Sequence, residues 1–139
     1  MKKRRRAREI ALSALYSMEV GGEGVEKALA DIRREAKADE EIFSYAQRLV
    51  RAVAEHLPEL DKTIAAQCRN WDLKRVALID KNILRMAIAE ILHFDDIPEK
   101  VSIDEAIELA KRYSTEKSGT FVNGILDPIA FKDKKENKK

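Results

Sequence analysis

The sequence has 139 residues, of which 45% are hydrophobic and 37% charged, so it predicts one soluble globular domain or two tightly joined subdomains. Its 5 glycines and 3 prolines are too few for a β-rich fold with many tight turns. The net charge is +2, but residues 1–8 carry +6 and residues 132–139 carry +3, which leaves −7 for the rest of the chain. Basic ends on an acidic body indicate localised binding of a polyanion.

Helical periodicity dominates the first half of the chain, and no strand-like alternation of useful length is present. A first helix is predicted over about residues 4–20, where a Gly-Gly pair at 21–22 stops it. Second and third helices are predicted over about 25–37 and 39–56. Pro58 then interrupts the pattern, and we expect it to separate an N-terminal three-helix unit from the remainder.

The second half begins with a helix over about residues 59–68. The segment over about 73–93 contains the most hydrophobic helix, with apolar side chains on nearly every side at about 100° per residue. Such a helix is typical of the central element of a bundle. Ser102 and Glu105 have the spacing of a capping box, which predicts the start of a helix that runs to about Tyr113.

The last predicted helix starts near Ser118 and ends at about Phe131. The Lys-rich segment 132–139 is expected to be disordered. Together these segments predict an all-α fold of about seven helices in two packed subdomains. The three-helix unit would cover about residues 1–57, and the four-helix unit about residues 58–131.

Features that would mark export are missing from the pattern. The basic start runs directly into an amphipathic helix without an unbroken apolar stretch, so we expect no signal peptide. The longest apolar stretch, residues 76–92, is interrupted by four charged side chains, which argues against a membrane span. A single cysteine, Cys68, excludes an intrachain disulfide and suits a reducing compartment. We therefore expect a cytoplasmic protein.

The first helix has two distinct faces. One is an apolar stripe at helical spacing, predicted to be buried and formed by Ala7, Ile10, Ala11, Ala14, Leu15 and Met18. The other carries Arg5, Arg8, Leu12 and Tyr16 and is predicted to be exposed. Cations beside an aromatic ring suit a polyanion with unpaired bases, because Arg neutralises phosphates and rings stack on bases. The alternative is a solvated basic terminus in which Tyr16 covers the core.

Two further positions stand out in the second half. Asp80 falls between apolar residues, so its carboxylate must be paired within the molecule or lie at an edge that faces a partner. Gly124 lies inside the last predicted helix, where glycine costs about 1 kcal/mol relative to alanine. We therefore expect a close helix crossing or a close backbone approach at Gly124.

No motif for catalysis emerges from the sequence. A Gly-rich phosphate loop, a Cys or His cluster with metal-ligand spacing and a nucleophile elbow are all missing from it. We expect no catalytic residues, no metal and no cofactor.

Four blocks of sequence stand out in order along the chain: RRRARE followed by ALY within residues 4–16, DKNILRMA at 80–87, IDEAIELAK at 103–111 and FVNGILD at 121–127. Together they resemble the NusB family of transcription antitermination proteins. The resemblance covers essentially the whole chain. It implies a single NusB-like helical domain of two subdomains over residues 1–131.

The resemblance also implies a function and its residues. Members of the family bind the boxA RNA of ribosomal RNA operon leaders together with NusE, a small-subunit ribosomal protein. They help to assemble an antitermination complex with other Nus factors on RNA polymerase. By position, the resemblance implies RNA contacts for Lys2, Arg4, Arg5, Arg6, Arg8, Lys74 and Phe121. It implies NusE contacts for Tyr16, Asp80 and Lys117, and hence partial exposure of Tyr16 and Asp80.

Two positions depart from the family pattern. Lys74 and Lys117 stand where the best-studied relatives carry acidic residues. Lys74 would add attraction for phosphate, and Lys117 would alter the balance between NusE and RNA contacts. Some relatives self-associate through this surface, so a homodimer stays open. Two other classes also stay open: the RNA-binding domain of a ribosomal RNA cytosine methyltransferase, and a protein–protein adaptor whose arm only aids solubility.

Overall fold

The computed structural model describes residues 2–68 and 73–137, without the side chains of Lys74 and of residues 131–137. Over these residues it contains seven α-helices, one 3-10 turn and no strand, which confirms the all-α prediction. In chain order the elements are α1 (Lys2–Gly21), α2 (Val25–Glu35), α3 (Glu40–Glu55), α4 (Leu57–Gln67), a 3-10 turn (Leu73–Arg75), α5 (Leu78–His93), α6 (Glu99–Tyr113) and α7 (Glu116–Asn137).

The chain divides into two compact units between His56 and Leu57, close to the predicted break at Pro58. In the first unit, α1 packs against both α2 and α3. Gly22 adopts a φ of +67°, in the left-handed region that glycine enters without strain, and the chain leaves α1 there. Asp39 starts α3 because its side-chain Oδ1 accepts the backbone N–H groups of residues 41 and 42.

The second unit is built around α5, which contacts α4, α6 and α7. All residues from 82 to 90 are buried, as expected for a helix that is apolar on nearly every side. Arg85 is buried with them and binds Asp61 of α4 with two hydrogen bonds, of 2.7 Å from Nε and 2.9 Å from Nη2. Its Nη1 also donates to Asn82 Oδ1. A buried guanidinium with this bidentate partner holds α4 on α5.

The start of α6 differs from the prediction. α6 begins at Glu99, after Pro98 at its N-cap, so Ser102 lies inside the helix and the predicted capping box is wrong. The φ of −62° at Pro98 is compatible with entry into a helix, which starts α6 one turn earlier than the Ser-Glu spacing suggested. Ser102 Oγ is buried without a hydrogen-bond partner among the described residues.

The last helix is longer than expected at both ends. α7 starts at Glu116 and continues to Asn137, past Phe131, where we expected it to end. Residues 132–137 therefore have helical backbone, and residues 138–139 of the predicted tail lie outside the described residues. In the described part of the chain, none of the helices is both long and apolar enough to span a membrane.

Candidate nucleic-acid interface

The basic arm of the sequence forms the first turns of α1. Lys2, Arg4, Arg5 and Arg6 are all exposed, and no acidic residue lies in the first turn of α1. The free amides at a helix N-terminus carry partial positive charge, so cations there oppose folding and an anion is favoured. Arg6 forms only a loose pair, with Nη1 3.7 Å from Glu9 Oε1. The arm therefore concentrates positive charge where the helix itself already attracts a polyanion.

The predicted exposed face of α1 is only partly exposed. Arg8 and Leu12 have exposed fractions of 4% and 5%, so the prediction that they share an open face with Arg5 and Tyr16 is wrong for these two residues. The guanidinium carbon of Arg8 lies 5.5 Å from the ring centre of Tyr45 in α3. Because α1 packs against two helices, a wider arc of its surface is buried than a single apolar stripe predicts. Arg8 is therefore a poor donor for a ligand outside the molecule.

Three arginines lie close to the ring of Tyr45 in α3. The guanidinium carbons lie 4.7 Å (Arg4), 5.5 Å (Arg8) and 5.9 Å (Arg48) from the centre of its ring, within the range of cation–π attraction. Arg48, which is exposed, was not predicted as part of the site. Its signal in the sequence is only the three-residue spacing from Tyr45, which puts both on one face of α3. The sequence does not show that this face of α3 lies next to the arginines of α1.

Lys3 is engaged with acidic groups at the start of α3. Its Nζ lies 3.2 Å from Asp39 Oδ2 and 3.5 Å from Glu41 Oε2. Hydrogen bonding and charge attraction from Asp39 raise the pKa of Lys3. The pKa of Asp39 is lowered, first because its carboxylate accepts the backbone N–H of Ile42. These two ion pairs connect Lys3, at the start of α1, to the start of α3.

The C-terminal half of α1 presents apolar side chains to solvent. Tyr16 has an exposed fraction of 40%, and Val20, one turn further on, of 62%. Exposure of Tyr16 agrees with the expectation, while its role in contacting NusE stays a prediction. Val20 was not predicted as part of this surface, although its position four residues after Tyr16 puts the two on one face.

Asp80, in the second unit, is buried instead of partly exposed. Its exposed fraction is 6%, and its Oδ2 accepts a 3.0 Å hydrogen bond from Ser118 Oγ of α7. Ser118 Oγ also lies 2.9 Å from Ser114 Oγ and 3.0 Å from Thr115 Oγ1. The expectation of an Asp80 side chain open to a partner is therefore wrong, and its function within the molecule is to hold the first turn of α7 against α5.

Lys117 and Phe121, the predicted contact residues of α7, follow directly on this network. Lys117 is exposed, and Phe121 is half-buried. The backbone of Lys74 belongs to the 3-10 turn, but its side chain lies outside the described residues. The predicted roles of these three residues stay predictions.

The close approach of another helix to α7 lies at a different glycine from the one predicted. Gly124 is exposed, and a Cβ built on it would meet nothing within 4 Å, so the predicted helix crossing at Gly124 is wrong. The close approach lies at Gly119, where a Cβ would stand 3.2 Å from Lys111 Cγ and 3.5 Å from Ile107 Cγ2. Gly119 therefore allows α7 to pack on α6.

Comparison with known proteins agrees with this architecture. The model of the NusB family matches residues 5–131. A curated relative, the transcription antitermination protein NusB of Chloroherpeton thalassium, is 49% identical over 125 residues; these are 89% of this chain but only 59% of that protein.

Solved structures extend the match to three dimensions. NusB of T. maritima superposes with a TM-score of 0.84 at 44% identity, with 91% of this chain and 89% of that chain covered. A structure of the antitermination factors NusB and NusE in complex with dsRNA also superposes with a TM-score of 0.84, at 27% identity over 94% of this chain and 97% of that one. The seven-helix fold, the matched residues and these relatives agree: the chain belongs to the NusB family.

Proposed function

We propose that this protein is a transcription antitermination factor. It binds boxA RNA of ribosomal RNA operon leaders together with NusE, and helps to assemble an antitermination complex with other Nus factors on RNA polymerase. The observation that carries the proposal is the row of exposed cations, Lys2, Arg4, Arg5 and Arg6, at the N-terminal end of α1. A similar chain that forms a complex with NusE and dsRNA supports it. The protein acts as a non-catalytic adaptor in the cytoplasm.

In this proposal the RNA backbone runs along the first turns of α1. Arginine guanidinium groups bind phosphate oxygens through paired N–H donors, and the helix N-terminus adds its own positive potential. Sequence preference comes from bases that leave the stack, for which the half-buried Phe121 offers a ring face. The resemblance to NusB proteins also implies an RNA contact for Lys74, whose positive charge attracts phosphate.

NusE binds through a separate set of residues, one in the first unit and two in the second. Tyr16 provides an exposed aromatic side chain with a polar tip, a residue type enriched in protein interfaces. Lys117 provides an exposed charge on α7. Asp80 acts indirectly, because its hydrogen bond to Ser118 fixes the turn of α7 that carries Lys117.

A salt-dependent RNA titration tests the proposal. If the four exposed cations of the arm each neutralise one phosphate of single-stranded RNA, log affinity falls against log salt with a slope of about −3. The titration is made with a labelled boxA-like RNA, a scrambled RNA and a duplex competitor, each with and without NusE. We expect preference for the boxA-like RNA, increased by NusE.

A matched pair of variants assigns the binding to α1. Arg5→Ala should weaken RNA binding, whereas Arg34→Ala, which removes an exposed arginine from α2, should leave it unchanged. Binding without salt dependence, or equal losses in the two variants, would contradict the proposal.

A further inference from the structure

A groove in the first unit lies between the start of α1 and α3. Lys3 and Arg4 line it from α1, and Ser44, Tyr45 and Arg48 line it from α3, together with two glutamates. Neither Ser44 nor Arg48 belongs to the basic arm. The groove therefore continues the cationic surface of α1 onto a second helix.

The charges in the groove are unevenly distributed. Its two glutamates are engaged by cations, since Glu41 lies 3.5 Å from Lys3 Nζ and Glu40 lies 3.1 Å from Nη1 of Arg33. These pairs cancel much of the negative charge at one end of the groove. At the other end, Arg4 and Arg48 approach the same Tyr45 ring. An anion is therefore favoured at the arginine end.

Tyr45 holds the two arginines in a geometry suited to an anion. The ring is buried, with an exposed fraction of 6%, while Arg4 and Arg48 are both exposed. Cation–π attraction holds both guanidinium groups near the Tyr45 ring, 4.7 and 5.9 Å from its centre, and guanidinium N–H groups bind phosphate oxygens in pairs. A side chain that is held in place loses less rotational freedom when an anion binds. The exposed Ser44 adds a hydroxyl donor one residue before Tyr45.

We propose that this groove is a phosphate subsite of the RNA surface, in which Arg48 and Ser44 of α3 join Arg4 in binding one backbone phosphate. Tyr45 is a positioning residue that aligns the two guanidinium groups. The inference rests on the proposed function, because the phosphate belongs to the RNA strand that runs along α1. It adds a second helix to the binding surface and makes a contact that is independent of base sequence.

The test compares Arg48→Gln with Arg51→Gln in salt titrations of single-stranded RNA. Arg51 is a matched control, because it is an exposed arginine of α3 one turn further along, does not line the groove and lies near Glu26, 3.4 Å from its Oε1. We expect Arg48→Gln to lower affinity about 10-fold at low salt, the low end for charge-assisted hydrogen bonds. Arg51→Gln should stay within about twofold of the wild type, as expected for a charge outside the contact.

The salt slope separates a phosphate contact from a general effect. Arg4 stays on the phosphate in Arg48→Gln, so the magnitude of the slope should fall by less than the value of about 0.7 for a whole phosphate contact, and the ratio of wild-type to variant affinity should fall by less than about 2.6-fold between about 50 and 200 mM salt. The loss should be equal for boxA-like and scrambled RNA, because a phosphate carries no sequence information. Arg48→Lys keeps the charge but not the paired N–H donors of a guanidinium, so it should recover the slope without recovering full affinity.

Three outcomes would overturn the subsite. They are wild-type affinity of Arg48→Gln while Arg5→Ala is weakened, equal losses in the Arg48 and Arg51 variants, or a loss confined to the boxA-like RNA. In each of them the wild type still binds RNA, so the proposed function survives. Absence of RNA binding by the wild-type protein would instead remove the proposed function and this inference together. Circular dichroism melting of each variant confirms that the fold is intact.

Discussion

Replacement of Gly124 by alanine should stabilise the protein. Gly124 is an exposed interior residue of α7, and an added Cβ meets nothing within 4 Å. The methyl group therefore changes no packing, and the gain is the helix propensity of alanine over glycine, about 0.8–1 kcal/mol. In urea, with an m-value of about 2 kcal/mol/M, the unfolding midpoint should rise by about 0.4–0.5 M with m unchanged.

Gly119→Ala is the matched control in the same helix. It has the same gain in propensity, but its Cβ would lie 3.2 Å from Lys111 Cγ and 3.5 Å from Ile107 Cγ2. Lys111 or Ile107 must shift by a few tenths of an ångström to admit the methyl group, which offsets part of the gain in propensity, so Gly119→Ala should be less stable than Gly124→Ala. Urea denaturation followed by circular dichroism measures both.

Destabilisation by Gly124→Ala would contradict the claim that helix propensity alone decides the effect at position 124. Pro128 lacks an N–H group, so the carbonyl of Gly124, four residues earlier, has no backbone donor from it. A loss of stability would show that this proline site requires glycine at position 124. If the variant is more stable but binds RNA or NusE less well, the open surface over Gly124 is approached by a partner.

Three further predictions concern side chains whose partners the structure identifies. Arg8→Ala should lower the free energy of unfolding by about 1–3 kcal/mol, because a buried side chain against Tyr45 is lost. Arg5→Ala should change it by less than about 0.5 kcal/mol. Urea denaturation compares the two variants, and equal stabilities would contradict burial of Arg8. Asp80→Ala should lower the free energy of unfolding by about 1–3 kcal/mol because Ser118 loses a hydrogen-bond acceptor. Asp80→Asn keeps an acceptor and should lower it by clearly less. A weaker NusE interaction in Asp80→Asn with unchanged stability would instead favour direct contact between Asp80 and NusE. The pKa of Asp39 is lower in the folded protein than its unfolded-state value of about 3.9, so its contribution to stability is complete above that value and is lost as pH falls through the folded pKa. Asp39→Ala should therefore flatten the fall of stability with pH below about pH 4. An unchanged fall of stability in this variant would count against Asp39 as the N-cap of α3.

The periodicity of single helices was enough to predict most of the fold. α5 is buried from residue 82 to residue 90 because apolar side chains surround it, and the wheel alone indicates a central helix. The glycine at 22 ends α1 through its positive φ, a local preference that needs no tertiary information. Features of this kind depend on residues within one or two turns of each other.

Two of the failures depend on neighbours that the sequence does not identify. Arg8 was expected to be exposed because it lies outside the apolar stripe of α1, but Tyr45 of α3 covers it. Gly124 was expected at a helix crossing, whereas the crossing lies five residues earlier at Gly119. A glycine in a helix shows that something is unusual nearby without showing which helix is close.

The candidate site shows the same division between local and tertiary information. Charge counting identified the basic arm, and Lys2, Arg4, Arg5 and Arg6 are exposed on α1. The part of the site on α3 was missed, because Arg48 joins Arg4 only through their shared ring, Tyr45. Asp80 was identified as unusual, but its partner Ser118 lies 38 residues away in sequence.

We propose that exposed cations of α1 bind RNA through its phosphates, in a complex that NusE strengthens. The affinity of wild-type protein for boxA-like and scrambled RNA, measured across salt concentrations with and without NusE, tests this most directly. We expect a slope of log affinity against log salt of about −3, a preference for the boxA-like RNA, and tighter binding when NusE is present. A flat salt response, or equal affinity for the two RNAs in the presence of NusE, would contradict it.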